Sequence, residues 1–157
     1  TDIDRIDLAY KLLLKDTFPS WLYSVKMGAT TMWERWDGMK PDGSFATPEM
    51  NSFNHYAYGA VGDWMFSTVA GIRPDENEPG YKHIIFEPKP NKELGYAKAR
   101  ILTKNGEIIS SWKYKGDSNL CEFSFTIPDG SYATLYLDDE EYEFVSGTYT
   151  TEFEYNA

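Results

Sequence analysis

The sequence has few of the residues that build several common kinds of site. It contains one cysteine, Cys121, and two histidines, His55 and His83, among 157 residues. A single cysteine excludes a disulfide within the chain, and with two distant histidines it gives no zinc-ligand spacing. No apolar run approaches the roughly 20 residues that a membrane-spanning helix needs. We therefore expect no metal site and no membrane span.

Positive charge is scarce as well. The 25 Asp and Glu residues outnumber the 15 Lys and Arg residues, which gives a formal net charge of −10. Nucleic acids and anionic membranes are bound through clustered cations, so we expect neither as a partner. A glycine-rich phosphate loop and a serine nucleophile elbow are also absent. The acidic run LDDEEYE, residues 137–143, lacks the spacing of a calcium loop and is expected to be a solvated turn.

Aromatic residues, in contrast, are abundant. They make up 17% of the chain, and 41% of all residues are hydrophobic, enough for a folded core. Flat amphipathic rings suit polar ligands that have apolar faces. The chain begins TDIDRIDLAY without an initiator methionine, so we expect a fragment or a processed product.

Residues 1–73 are predicted to be mainly helical. The first helix is expected behind an Asp-rich first turn, with apolar positions at helical spacing: Ile3, Ile6, Tyr10, Leu13 and Leu14. DTFP, residues 16–19, ends it, and a short helix from Pro19 to Lys26 should follow because proline is favoured in a first turn. Residues 27–51 then form a long loop, and loops of that length are usually functional or disordered.

A third helix is predicted over residues 52–72. Its inner stripe is expected to be Phe53, Ala57, Ala60, Val61, Trp64 and Val69. Gly59 and Gly62 weaken a helix and indicate close approach of another backbone. Gly71 is placed as its C-terminal stop, with Pro74 behind it. Two or three helices cannot close a core by themselves, so we expect an unpartnered apolar face on the helix that carries Trp64.

From Arg73 onward the spacing of the hydrophobic residues changes from that of a helix to alternate positions, which is typical of β-strands. HIIFEPKP is read as a strand, and YAKARILTK and EIISSWKYK as a hairpin about Asn105-Gly106 that pairs Lys104 with Glu107. The hairpin should place Ala99, Ile101, Ile108 and Trp112 on one face. In LCEFSFTI the inward residues are Cys121, Phe123, Phe125 and Ile127.

Pro128-Asp129-Gly130 turns this strand into SYATLYL, and EYEFVSG and TYTTEFEY are expected to pair last. The fold class is therefore α+β, with helices followed by an antiparallel β-sandwich. We divide the chain into residues 1–73 and 74–157.

The stretch TTMWERWDG, residues 30–38, holds the leading candidate for chemistry. Glu34 lies between Trp33 and Trp36, where indole rings partly desolvate its carboxylate. Glycoside hydrolysis needs such a carboxylate as acid, nucleophile or base. A surface pair of Glu34 with Arg35 beside two packing tryptophans explains the same residues equally well. Asp37 is too close in sequence to be the opposing carboxylate, and a turn, capping or outer-partner role is expected for it.

The two histidines are weaker candidates. His55 is placed in the first turn of the third helix, where it could bond a sugar hydroxyl or simply cap or pack. His83 precedes an apolar strand and is expected to be structural. Each alternative for His55 stays open at this point.

Three stretches together carry a resemblance. GATTMWERWDG, SFNHYAYGAVGDWMF and IRPDENEPGYKHIIFEPKP resemble the C-terminal part of bacterial α-L-rhamnosidases of glycoside hydrolase family 78. The resemblance implies the last helices of a catalytic (α/α)6 barrel followed by a small β-sandwich. It implies hydrolysis of terminal α-L-rhamnose with inversion and without a cofactor, with Glu34 as general base and His55 on the sugar.

The resemblance also implies what this chain lacks. No segment matches the general acid of the family, so the remainder of the barrel is an expected partner and residues 1–157 alone should be inactive. A rhamnose-containing glycoside or polysaccharide is the expected substrate. Two alternatives stay open: a non-catalytic carbohydrate-binding sandwich with Tyr132 and Tyr136 as a platform, and an (α/α)6 glycosidase for another sugar.

Overall fold

A computed structural model describes residues 5–155. The chain divides into two compact units, Thr1–Gly62 and Asp63–Ala157. The first unit is helical and irregular, and the second is dominated by strands, which confirms the α+β class.

Two helices open the described chain. Helix α1 is Ile6–Leu14 and α2 is Trp21–Lys26. The Ser20 hydroxyl caps α2 by accepting the Tyr23 N–H at 3.0 Å, one of the donors that a helix start leaves unpaired. The helix that was predicted from Pro19 thus begins two residues later, and Ile3 of the first predicted helix lies outside the described residues.

The third predicted helix is shorter and less regular than expected. A 3₁₀ turn, Ala57–Ala60, leads into α3, Val61–Trp64, and a π turn, Met65–Val69. The expected start near Ser52 is wrong, because backbone groups of residues 52–55 are bonded to the loop at residues 31–34. His55 therefore precedes the helix and does not lie in its first turn.

The expected inner stripe of this helix is also partly wrong. Ala57 and Ala60 are exposed, and Val69 is buried. No atom of the described chain lies within 4 Å of a Cβ placed on Gly59 or Gly62, so the backbone approach expected there is not present in this part of the protein. Met65 and Phe66 are 44% and 43% exposed, which leaves apolar surface beside Trp64 as expected.

Gly71 ends the helical segment, as predicted. Its φ is +67°, in the left-handed region that favours glycine. The Trp112 indole N–H donates to the Val69 carbonyl at 2.6 Å, and the Ser110 hydroxyl donates to the Ala70 carbonyl at 2.5 Å. All of these residues belong to the second unit, so the buried bonds join the short helical start of that unit to its own strands.

Eight strands follow in the part of the chain that the structure describes. Their bounds are β1 Ile72–Pro74, β2 His83–Phe86, β3 Tyr96–Thr103, β4 Gly106–Tyr114, β5 Leu120–Ile127, β6 Tyr132–Leu137, β7 Glu140–Phe144 and β8 Gly147–Glu154. They form two four-stranded sheets, in the orders β1-β2-β6-β7 and β3-β4-β5-β8. Every neighbouring pair is antiparallel except β2 with β6, which is parallel.

The core of the sandwich comes from alternating residues of both sheets. The fully buried members include Ile84, Phe86, Ile108, Trp112, Cys121, Phe123, Phe125 and Leu135. The rings of Phe86 and Phe125 meet across the two sheets with centroids 4.7 Å apart. All four residues that were expected to point inward on β5 are buried.

The hairpin register corrects one detail. Thr103 pairs with Gly106 and Leu102 with Glu107, so the expected pairing of Lys104 with Glu107 is wrong. Gly106, at a φ of +129°, opens β4 and shifts the register. Glu107 binds Arg100 at 3.0 Å instead. The shift is an even number of residues, which keeps Ala99, Ile101, Ile108 and Trp112 on one face, as predicted.

The pairing expected for the last two strands is also wrong. β7 pairs with β6 through the tight turn at Asp138 and Asp139, both of which have positive φ, and β8 pairs with β5 in the other sheet. A two-residue turn with positive φ at both positions suits a hairpin, so β7 folds back on the strand that precedes it.

Candidate active site around Glu34

Two segments of the first unit lie side by side and hold the candidate residues. The Glu34 N–H donates to the Ser52 carbonyl at 2.8 Å, and the His55 N–H donates to the Met32 carbonyl at 2.8 Å. The Thr31 hydroxyl donates to the Phe53 carbonyl. The structure therefore brings Glu34 and His55, which are 21 positions apart in sequence, onto one pair of bonded segments.

The Glu34 carboxylate is fixed at one oxygen. Its Oε2 accepts the Ser52 N–H at 2.8 Å, and its side chain is half-buried. Among residues 5–155, no ion pair of Glu34 occurs within 4.0 Å. A charged acceptor held by a backbone donor is kept in one orientation. The second oxygen, Oε1, remains available for a proton.

Arg35 binds Asp37 and not Glu34. The Arg35 Nε–H donates to Asp37 Oδ1 at 2.9 Å, and a second guanidinium N–H donates to Oδ2 at 3.1 Å. This contact lowers the pKa of Asp37 and raises the pKa of Arg35. The structure thus rejects the surface pair of Glu34 with Arg35. Asp37 has the expected turn role, since it lies in a turn in which the Gly38 N–H donates to the Arg35 carbonyl at 3.2 Å, and both of its carboxylate oxygens are bound to Arg35.

The tryptophans beside Glu34 differ in their surroundings. Trp33 is 4% exposed, and its ring meets the Phe53 ring edge-on at 5.0 Å. Trp36 is half-buried, stacks on Tyr58 at 4.6 Å and meets Trp21 edge-on at 5.5 Å. The Trp21 indole N–H donates to the Tyr58 carbonyl at 3.0 Å. Trp33 is therefore a packing residue, and Trp36 belongs to an aromatic cluster at the edge of the loop.

The indole nitrogen of Trp36 is a polar group without a partner in the described chain. Its Nε1 is buried and makes no hydrogen bond within the described residues. Asn51 Oδ1 is also buried and has no hydrogen-bond partner there. Buried polar groups are almost always paired. The described residues therefore leave these two atoms without the partner that buried polar groups normally have.

His55 is oriented by its own backbone. Its Nδ1 accepts the Ala57 N–H at 3.3 Å, and its ring is parallel to Tyr56 with centroids 5.6 Å apart. When Nδ1 of a neutral imidazole accepts, the proton is on Nε2. The half-buried His55 therefore presents an Nε2–H donor.

Other predicted features also have clear places. His83 opens β2 and is bonded through both ring nitrogens, to Asp75 Oδ2 at 2.7 Å and to Thr134 Oγ1 at 2.8 Å.

Within residues 5–155, no cluster of three metal-ligating side chains occurs, and no helix is long and apolar enough to cross a bilayer. The role of Ser52 was missed, because nothing in the sequence marks its backbone N–H as the partner of Glu34.

Two family models match adjoining parts of the chain. Residues 1–69 match the bacterial alpha-L-rhamnosidase 6 hairpin glycosidase domain, and residues 71–152 match the bacterial alpha-L-rhamnosidase C-terminal domain.

Curated relatives agree with these matches. An alpha-L-rhamnosidase of Streptomyces avermitilis is 41% identical over 151 residues, which cover 96% of this chain and 14% of that protein. An alpha-L-rhamnosidase of Formosa agariphila is 41% identical over 146 residues, which cover 88% of this chain and 16% of that protein. The chain therefore spans about one-sixth or less of the length of these relatives.

Solved structures give the same result. The crystal structure of Streptomyces avermitilis alpha-L-rhamnosidase complexed with L-rhamnose matches with a TM-score of 0.85 and 35% identity, over 97% of this chain and 16% of that chain. The native Aspergillus terreus enzyme matches with a TM-score of 0.84 and 36% identity, over 91% and 17%. This chain belongs to the bacterial α-L-rhamnosidase family and matches the C-terminal part of its members, from the end of the 6-hairpin glycosidase domain through the C-terminal β-domain.

Proposed function

We propose that the protein containing this chain is an inverting glycoside hydrolase that releases terminal α-L-rhamnose, and that Glu34 is its general base. Membership of the α-L-rhamnosidase family supports the substrate class. The general acid is assigned to the part of the barrel outside residues 1–157, so this chain alone has no hydrolytic activity.

The observation that carries the proposal is the way Glu34 is held. Its Oε2 is bonded to the Ser52 N–H at 2.8 Å, while the adjacent cation, Arg35, is engaged by Asp37. A general base needs a fixed position and an oxygen that is free to accept a proton. Glu34 Oε1 meets both conditions.

The reaction then follows the inverting scheme. Glu34 Oε1 takes a proton from a water molecule while the water oxygen attacks the anomeric carbon. On the opposite side, the acid gives its proton to the glycosidic oxygen, and the bond between that oxygen and the anomeric carbon breaks. The two carboxyl groups should stand roughly 6.5–9.5 Å apart, which leaves room for the water. No cofactor takes part in this scheme.

His55 is assigned to sugar binding. Its Nε2–H can donate to a sugar hydroxyl because its Nδ1 is occupied by the Ala57 N–H. The aromatic cluster of Trp36, Tyr58 and Trp21 supplies an apolar wall, which suits the 6-methyl group of rhamnose. The orphan Trp36 Nε1–H lies in the same cluster.

The carbohydrate-binding alternative with a two-tyrosine platform has less support. The Tyr132 ring stacks on His83 at 4.4 Å, and its hydroxyl donates to Glu78 at 2.6 Å. Tyr132 is therefore already occupied and cannot form an open platform with Tyr136.

The test uses the complete protein that contains this chain. Purified enzyme is given an aryl α-L-rhamnoside and a panel of other aryl glycosides, and proton NMR follows the first product. We expect cleavage of the rhamnoside and early appearance of the β-anomer of L-rhamnose. Initial α-anomer contradicts inversion, and preferred cleavage of another glycoside supports the (α/α)6 enzyme for a different sugar.

A further inference from the structure

The outer face of the β1-β2-β6-β7 sheet carries a cleft far along the chain from Glu34. Residues Ile84, Phe86, Ala133 and Leu135 point into the core, so the alternate residues of β2 and β6 face outward. A cleft of about 880 Å³ lies on this face. Its volume is within the roughly 300–1,000 Å³ of small-molecule sites.

The strand register orders the groups that line the cleft. Arg73 of β1 is paired with Ile85 of β2, and both are in its lining. Because β1 and β2 are antiparallel, Asp75 and Asn77 after β1 lie beside His83 at the start of β2. β2 and β6 are parallel. Tyr136, near the C-terminal end of β6, therefore lies beside Glu87, at the end of the cleft that is opposite to His83. The cleft thus has polar groups at both ends and a tyrosine at one of them.

The His83 end of the cleft is held by several side-chain hydrogen bonds and a ring contact. His83 is bonded to Asp75 and Thr134, and its ring stacks on Tyr132. Asp75 Oδ1 also accepts the Asn77 N–H at 2.8 Å and the Asn77 side-chain amide at 3.2 Å. These bonds join the segment after β1 to β2 and β6. A site formed in this way is organised before a ligand arrives, which lowers the entropic cost of binding.

The lining disfavours an anion through its charge and a metal ion through its geometry. Four carboxylates, from Asp75, Glu76, Glu87 and Asp139, outnumber the fixed cations of Arg73 and Lys89. An anion is therefore disfavoured, as it is by the net charge of −10. A metal ion is not suited either, since no ligating cluster of three such side chains occurs within residues 5–155.

The remaining chemistry is that of a neutral polyol. Arg73 and Lys89 both bind Glu87, and Asp75 is bonded to His83 and Asn77. Glu76 and Asp139 add carboxylate oxygens that can accept hydrogen bonds from hydroxyl groups. Tyr136 adds a ring that is 38% exposed, and an aromatic ring with a polar edge suits a sugar, which has both apolar and polar faces.

We propose that this cleft is a second carbohydrate-binding site, which takes a neutral segment of the polysaccharide that carries the rhamnosyl substrate. The identity of that polysaccharide rests on the proposed function. The assignment of the cleft as a binding site depends on Tyr136, Asn77 and the Asp75–His83 pair, and not on the proposed function. It would hold a polymeric substrate on the enzyme between successive cleavages, and it makes no difference to a small substrate.

The experiment measures binding and hydrolysis separately in the complete protein. Binding to a neutral polysaccharide with terminal α-L-rhamnose is followed by affinity electrophoresis in a Glu34→Gln background, which prevents turnover. Tyr136→Thr removes the ring but keeps a residue that suits a strand. Tyr96→Thr is the matched control, since Tyr96 is an exposed tyrosine of the other sheet.

We expect Tyr136→Thr to weaken polysaccharide binding by about tenfold or more, and Tyr96→Thr to leave it unchanged. With Glu34 intact, Tyr136→Thr should cleave an aryl α-L-rhamnoside at the wild-type rate. Equal binding by both tyrosine variants, or no binding of the polysaccharide by the Glu34→Gln parent, overturns the proposal. If Tyr136→Thr loses polysaccharide binding but the wild-type protein cleaves no rhamnoside, the binding site is supported and the proposed function is wrong. Asn77→Ala provides a second variant of the cleft, with the same expected loss, if Tyr136→Thr does not fold.

Discussion

The turn at Gly71 allows a quantitative test of the second unit. Gly71 has a φ of +67°, and its carbonyl accepts the Glu87 N–H at 2.9 Å. A Cβ at this position would lie closer than 3.0 Å to backbone atoms of both Glu87 and Pro88. Pro88 is fully buried. Gly71→Ala therefore forces backbone against backbone, and no flexible side chain can move aside.

Three costs add up at Gly71→Ala. The left-handed conformation costs about 1–2 kcal/mol for a residue with a Cβ. The two segments must move apart by more than about 1 Å to reach the roughly 3.5–4.0 Å of normal carbon contacts. That movement weakens the Glu87 hydrogen bond, worth about 0.5–1.5 kcal/mol. The backbone shift that the added atom forces costs about 1–3 kcal/mol by itself. The three costs together come to about 2.5–6.5 kcal/mol, so we expect a loss of about 4 kcal/mol, a size that few single substitutions reach.

The matched control is Gly130→Ala. Gly130 also has a positive φ, +81°, but within residues 5–155 no atom beyond its chain neighbours lies within 4 Å of its Cβ position. Its substitution should cost only the conformational term of about 1–2 kcal/mol. Thermal unfolding followed by circular dichroism compares the two, at about 4–8 °C per kcal/mol for a unit of this size. We expect Gly71→Ala to lower Tm by roughly 15 °C or more. Equal losses in the two variants would refute the crowding at Gly71.

Three further predictions concern the candidate site and the core. Gly38→Ala places a Cβ 2.8 Å from Asn51 Oδ1, next to the Ser52 N–H that holds Glu34. It should lower kcat of the complete enzyme by about tenfold to a hundredfold. Gly43→Ala should leave kcat unchanged, because its Cβ would meet no atom of the described chain beyond its neighbours within 4 Å. His55→Ala should lower kcat/KM, by an amount that corresponds to a few kcal/mol of transition-state stabilisation at most, and by less than loss of the Glu34 carboxylate does. A normal kcat/KM with a large drop in Tm would instead make His55 a structural residue. Cys121 is fully buried, which raises the pKa of its thiol to about 11. It should resist a thiol reagent at pH 8 until the protein is unfolded, and rapid labelling of the folded protein contradicts its place in the core.

The strands of the second unit were largely predictable, because one face of each sheet is buried and hydrophobic residues therefore occupy every second position of a strand. The alternation in LCEFSFTI identified the buried residues of β5, and Asn105-Gly106 located the hairpin. The register was not predictable from the turn residues alone, because Gly106 is the first residue of β4 and not the second residue of the turn. The partners of β7 and β8 depend on which sheet each strand joins, and local pattern carries no information on that choice.

The candidate site was predictable in its residues and less so in its geometry. Glu34 and His55 were named from residue type and family resemblance. Periodicity predicted a helix through Ser52, Phe53 and His55, but the loop at residues 31–34 takes the backbone groups that a helix would use. Tertiary hydrogen bonds thus override helix propensity at this point. The role of Asp37 in binding Arg35 also depends on side-chain geometry that the sequence leaves open.

The most direct test of the account is the rate of the complete enzyme with Glu34→Gln. Glutamine keeps the size of the side chain and can still accept the Ser52 N–H, but it cannot take a proton from water. Glu49→Gln is the matched control, because Glu49 is an exposed carboxylate of the same loop.

General base catalysis contributes about 10²–10⁴-fold. We therefore expect Glu34→Gln to lower kcat on an aryl α-L-rhamnoside by two to four orders of magnitude with an unchanged Tm, and Glu49→Gln to match the wild type. A kcat for Glu34→Gln within about tenfold of wild type, roughly 1.4 kcal/mol in the barrier, would contradict the assignment of Glu34 as the general base.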